Sequence, residues 1–238
     1  MTPEQTSVSI VLVGVFRPAL FTLDELERNQ ALPATDLAAA KYRALLLDQV
    51  VSFALPWGLL TATADRLIVE ISQVPYVQGL DLLSRLIRDH APGSIVTMFG
   101  INMTSHYKFP DVAARDAFAT RLAPTSPWGG FGRLIEESFP ESGDKHGGLI
   151  HLTMRHANVD DRESGWIDVK VEPSPLIPNS QGVAMFVNDH FAPAVSADAS
   201  RVKRATSEEL LSLLERIFDQ SIERSFKILN SVVSGEAA

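Results

Sequence analysis

Leucine, isoleucine or phenylalanine stands at 210, 213, 214, 217, 218, 222, 226 and 229. Steps of three and four residues put all of these on one side of an α-helix. A stripe of that length is about 30 Å long, and it must be buried against a surface equally long. The stretch opens on "TSEE", with Thr206 placed to cap the helix and Glu209 three residues on, the capping-box spacing. The spacing predicts a helix from Thr206 to about 231. Whatever else the chain folds into, it has to offer this helix a broad apolar floor.

The rest of the sequence supplies that floor as strands. "SVSIVLVGVF" (7–16) is apolar at both parities and rich in β-branched residues, the pattern of a strand buried on both faces. Further strands are expected near 43–54, 57–63, 66–73, 94–108, 131–139, 147–157, 165–173 and 181–190. In the strand at 66–73, Leu67, Val69 and Ile71 face one way and Glu70 and Ser72 the other, which marks a half-buried antiparallel strand. Helices are expected from Val77 to Ile87, where "HAPG" stops the pattern, and from Pro110 to Leu122. A short helix capped by Thr22, with Glu25 at the capping-box position, is expected before Pro33. Strands and helices do not alternate, which disfavours a doubly wound parallel sheet. The reading is an α+β fold: a largely antiparallel sheet packed by helices, the C-terminal one longest. It is taken as one domain over 1–238, the alternative being tandem sheet-and-helix halves at 1–109 and 110–238.

Composition narrows the chemistry. The chain has 238 residues, a net charge of −8 and no cysteine. Disulfides, thiolate metal sites and cysteine nucleophiles are thereby excluded. The acidic balance disfavours nucleic acid, because phosphate contacts need a basic patch. The densest basic cluster, "RVKR" at 201–204, falls in an expected loop. The N-terminus lacks a basic n-region, and no apolar run reaches the ~20 residues a membrane span requires. A soluble cytoplasmic protein is expected, with no membrane association.

The familiar catalytic patterns do not occur. "GGFGRL" (129–134) misses a dinucleotide fingerprint because Ile135 stands where a third glycine belongs. These glycines are read as turns, and no cofactor is expected. The histidines are His90, His106, His146, His151, His156 and His190. His151 and His156 share an expected strand at odd spacing, which sends them to opposite faces, and no metal site is expected. Asp168, Lys170 and Glu172 alternate with Ile167, Val169 and Val171, as on the wet side of a half-buried strand.

Two strands carry a different signal. In the strand expected at 94–108, which ends in "GINMTSHYKF" (100–109), the even face runs from Val96 and Met98 to Asn102, Thr104 and His106. In "GVAMFVNDHF" (182–191) the even face runs from Ala184 and Phe186 to Asn188 and His190. Arg155 on "HLTMRH" is placed to add a cation. If the two ends meet, they form a polar cluster over an apolar floor, able to hold a carboxylate, an amide or a peptide backbone. The plainer alternative is that each strand turns polar where it reaches water.

"GINMTSHYKF", "RLAPTSPW", "DVKVEPS" and "GVAMFVNDHF", followed by the closing helix, together resemble a sporadically distributed family of uncharacterised bacterial proteins of similar length. The resemblance covers most of the chain and carries no activity, cofactor or catalytic residue. It implies a bacterial cytoplasmic protein, an accessory component encoded with partner genes, as in defence or toxin-immunity cassettes. It also points to Asn102, His106, Asn188, Asp189 and His190. The expected function is non-catalytic binding through protein contacts, with a homodimer burying surplus apolar surface. The alternative is a small-molecule enzyme using His106 or His190 as general base in a cleft above the sheet.

Overall fold

The computed structural model describes residues 1–137, 148–157, 159–162, 164–192 and 205–235. Among the described residues, nine strands form one antiparallel sheet: β1 (Gln5–Val15), β2 (Lys41–Leu46), β3 (Val50–Leu55), β4 (Gly58–Thr63), β5 (Arg66–Ile71), β6 (Ile95–Lys108), β7 (Leu152–His156), β8 (Gly165–Pro173) and β9 (Gly182–Phe191). Their spatial order is β2-β3-β4-β5-β1-β6-β9-β8-β7. The described residues also form six α-helices: α1 (Leu23–Arg28), α2 (Ala34–Ala39), α3 (Val77–Arg85), α4 (Val112–Leu122), α5 (Gly129–Glu137) and α6 (Ser207–Ser234). The α+β class with its long closing helix is as the sequence indicates.

One plan occurs twice. A long strand is followed by a helical excursion, then by an antiparallel meander that returns to pair with the first strand, then by a helix. β1 is closed by β5 and followed by α3; β6 is closed by β9 and followed by α6. The β1–β6 pair joins the two into one sheet, with Ile10 opposite Ile101 and Ser9 opposite Asn102. The plan repeats from Ile95, so β6, which a division at 109/110 would give to the first half, opens the second.

Register divides the sheet into two unlike faces. Val8, Ile10 and Leu12 of β1, Leu67, Val69 and Ile71 of β5, Phe99, Ile101 and Met103 of β6, and Met185, Val187 and Phe191 of β9 are fully buried. The alignments put them on one face, and the helical layer covers it. α6 seats Leu210, Leu211, Leu214, Ile217, Phe218 and Leu229 there. Leu213, Ile222 and Phe226, also on the stripe, lie half-buried along its margin. Both capping-box bonds form: Glu209 N–H donates to Thr206 Oγ1 at 3.1 Å, and Thr206 N–H to Glu209 Oε2 at 2.7 Å. Arg88 ties α6 back to the turn of π-helix after α3, reaching Glu208 at 2.7 Å and Glu215 at 2.5 Å.

Three expectations change. "SVSIVLVGVF" is fully buried on one face only; Ser7, Ser9, Val11 and Val13 on the other are half-buried. The stretch near 43–54 is two strands, β2 and β3, folded on each other. The strand expected at 131–139 is helix α5 as far as the described residues go, to Glu137. Phe131, Leu134 and Ile135 have the i, i+3, i+4 spacing of a helix, and the run is too short in alternation to make a strand. Its glycines are helical rather than a turn, except that Gly129 opens the helix at φ 58°, which favours glycine. His146 and the "RVKR" cluster at 201–204 lie outside the described residues. Among the described residues, no helix is long and apolar enough to cross a membrane.

The packing predicts that Leu214→Ala will lower the unfolding free energy by about 2–5 kcal/mol, since Leu214 is fully buried. Leu213→Ala, one residue away on the half-buried margin, is expected to cost less than half as much. Denaturant melts of the two variants check this.

Candidate functional site

The even residues of β6 and β9 emerge on the face that the helical layer leaves uncovered. Asn102 lies directly opposite Asn188, and Gly100 opposite His190. β8 continues the surface, with Asp168 opposite Asn188 and Trp166 opposite His190. β7 adds Arg155 opposite Asp168. Four of the residues singled out from sequence, Asn102, Arg155, Asn188 and His190, therefore share one face on neighbouring strands.

The other two do not join them. His106 pairs with Ala184, six ladder positions from Gly100 and its partner His190. At about 3.4 Å per residue that is roughly 20 Å, so the two histidines cannot hold one ligand. The shared polarity switch runs in opposite directions along antiparallel neighbours, and only its asparagines coincide. His106 is instead buried, its Nδ1 2.8 Å from Ser174 Oγ, and burial pushes its pKa down. Asp189 has odd parity and points into the core.

On the uncovered face the side chains form a ladder across three strands. The Arg155 guanidinium lies over the Trp166 ring at 4.4 Å, and the Trp166 and His190 rings are 4.1 Å apart. Arg155 donates twice to Asp168, from Nε at 2.7 Å and Nη2 at 2.8 Å, and Trp166 Nε1 donates to the same carboxylate at 3.1 Å. The bond from Arg155 holds the Asp168 carboxyl below its usual range against a small opposing effect of burial. Burial, helped by Arg155 and Arg162, pushes the His190 pKa down and so favours the neutral ring. Further along, Lys170 stands over the Phe186 ring at 4.2 Å and pairs with Glu172 at 2.9 Å. The polar alternation of Asp168, Lys170 and Glu172 is indeed the outward side of β8. A shallow hollow of about 430 Å³ opens here, lined by Ser9, Asn102, Asp168, Lys170, Phe186 and Asn188 among others.

On the opposite face Asp189 is the centre of a buried ion network that the sequence reading placed elsewhere. Arg162 Nη1 donates to Asp189 Oδ1 at 2.5 Å and to the His190 carbonyl at 2.9 Å, and its guanidinium lies 3.6 Å from the Phe191 ring centre. Ser221 of α6 donates to Asp189 Oδ2 at 2.7 Å. Asp161 bridges Arg162 at 2.8 Å and Arg224 of α6 at 2.6 Å. Burial raises the Asp161 pKa, but the bonds from Arg224 and Arg162 outweigh it and the net shift is down. Arg162 is not among the residues singled out from the sequence. The signal that would have found it is Asp189 itself: a carboxylate on the parity of Met185, Val187 and Phe191 requires a buried cation.

Replacing Asp189 by alanine takes from the buried Arg162 one of its two carboxylate partners, leaving Asp161, and strips Ser221 of its acceptor. A loss of about 3–5 kcal/mol is expected, against a much smaller loss for Asp168→Ala on the open face, by chemical denaturation. The histidines give a second check. Both His106 and His190 titrate below 6.5 in the fold, so the unfolded chain binds more protons as pH falls through 6.5. Stability is therefore fully present above that value and is lost on acidification toward the folded pKa values. Unfolding free energies measured from about pH 5 to 7 should rise with pH. The rise should flatten in the His106→Gln, His190→Gln double variant.

Comparison with known proteins finds no family model that matches the chain and no significant match among characterised sequences.

Proposed function

We propose that this chain is a non-catalytic binding protein that works through protein contacts, an accessory component of a multi-gene bacterial system of the defence or toxin-immunity kind. The observation that carries the reading is the uncovered sheet face. Arg155, Trp166 and His190 stand on it, stacked on one another, with Phe186 beneath Lys170 further along. Tryptophan and arginine are the residues that most often dominate interface energies, and side chains already ordered lose little entropy on docking. Val11 and Val13 extend the same face in apolar form on β1. A face of this breadth with mixed apolar and polar character suits a protein partner better than a small substrate.

A second feature supports self-association. Phe131 and Leu134 on helix α5 are exposed at 59% and 60%, and Trp128, just before the helix, at 63%. Phe131 and Leu134 stand three residues apart on the helix, and the Trp128 ring joins them 6.3 Å from that of Phe131, so the three form one ridge. Exposed aromatic ridges of this kind mark interaction surfaces. A two-fold pairing of copies through the ridge is the simplest arrangement that covers it. The enzyme alternative now has to rest on His190 alone, because His106 is distant and bonded to Ser174.

Light scattering across a hundredfold concentration range is expected to give twice the 26.0 kDa chain mass, falling to the single-chain mass in the Phe131→Ser, Leu134→Ser variant. A constant 26.0 kDa removes the dimer. The wider reading is tested by purifying tagged protein from its native host. Proteins that co-purify with wild type and are lost on Trp166→Ala, while the variant still melts cooperatively, support it. Partners held equally by both forms count against the face.

A further inference from the structure

We infer that the open face carries a recognition point for the backbone amides of an extended peptide segment of a partner protein, centred on the Asn102–Asn188 pair beside Gly100. The inference rests on the reading of this face as a protein-contact surface and specifies what it grips.

Asparagine is disfavoured in strands, yet two stand opposite each other on the adjoining central strands β6 and β9. Beside them Gly100 is buried and carries no side chain. A Cβ placed there would lie 3.4 Å from Asn188 Oδ1 and 3.7 Å from Asn102 Oδ1, so both carboxamides rest against the same glycine. Asn102 reaches Ser9 Oγ through Nδ2 at 3.3 Å, but its Oδ1 is buried with no hydrogen-bond partner. Folding leaves that acceptor unpaired; a turn of the carboxamide toward the hollow brings it within reach of a ligand donor, and pairing it there recovers the loss. Glycine inside a strand often marks a place where another backbone comes close.

The surrounding charge selects the class of ligand. Arg155 and Lys170 flank the hollow as cations, Asp168 and Glu172 as anions, and each is paired with an opposite neighbour. An anion meets the ionised Asp168 and a cation meets Arg155 and Lys170, so a neutral group fits best. A carboxamide offers one donor side and one acceptor side, and two of them complement a peptide bond. The hollow draws its lining from β1, β6, β9, β8 and β7, through Ser9, Asn102, Asn188, Asp168 and Thr153. Five neighbouring strands span about 19 Å, the length of some five or six extended residues. That reach suits a segment laid across the strands rather than a single amide.

The test is selection of a random-peptide display library on the full-length protein, followed by affinity measurement with the enriched peptides. Gly100→Val sets a strand-favouring side chain against both carboxamide oxygens and displaces them from the hollow. It should weaken the peptides at least about tenfold while the protein still melts cooperatively, and N-methylation of one central peptide amide should weaken them similarly. Gly100→Ala, whose methyl meets its neighbours at ordinary contact distance, serves if the valine variant does not fold; it should weaken binding in the same direction. The proposal is overturned if no sequence is enriched, if peptides bind the Gly100 variants as tightly as wild type, or if N-acetylalanine N-methylamide binds as well as the peptides. Host partners that still depend on Trp166 in any of those outcomes leave the proposed function standing; partners that ignore both Trp166 and Gly100 end both.

Discussion

The antiparallel pairing of β1 with β6 decides where every other side chain can go. Each of these strands is closed on its far side by its own meander, β5 for one and β9 for the other. The seam between them turns two sheets into one and aligns their faces. Ile10 opposite Ile101 commits both strands to a shared core, and Ser9 opposite Asn102 commits both to a shared polar face. With those two choices made, the helices of both halves must lie on the same side, because only that side is apolar across the whole width. The uncovered face is therefore a product of the seam and not of any one strand.

Covering just one side asks much of the elements that cover it, and α6 is fixed by more than its stripe. Ser221 and Arg224 meet Asp189 and Asp161 at the place where β9 ends and the β7–β8 connection crosses. Two arginines and two aspartates sum to no net charge, so the network sits under the helix without a field of its own. Buried ion pairs of this sort contribute modest net stability because desolvation offsets attraction. Their geometry is demanding, and it sets the rotation of α6 on the sheet, which an apolar stripe alone leaves loosely defined.

The long periodic elements were legible in the sequence. The α6 stripe, its capping box, the Thr22 cap and the strands at 58–63, 66–71, 95–108 and 182–191 follow from spacing and local chemistry that act within a few residues. Helix α5 was hidden because "GGFGRLIEE" is short and has three glycines in its first four residues, and Phe131 and Leu134 face away from the body, so no core demand sharpens the pattern. Neighbour relations were the harder part. Parity placed Asn102, His106, Asn188 and His190 on one face correctly, but parity carries no information about direction. Whether two strands run alike or opposed decides whether the histidines meet, and that depends on connections far away in the chain. Arg155 reached the cluster only through the pairing of β7 with β8, and Arg162 came from a turn whose polar residues gave no hint of burial.

The repeated plan also shapes how the chain finds its native state. Within each half, most pairings join strands that are close in sequence, and hairpins of that kind close quickly. The seam is the step that brings distant segments together, Gln5 against His106 at its outer end. Side chains in a strand alternate with a period of two, so a slip of one residue at this step would turn Ser9 toward the core and Ile10 toward water. The polar residues of the open face thus serve the core on the other side as well: they make the wrong alignment costly, and the first productive encounter of the two halves is also the one that selects the register.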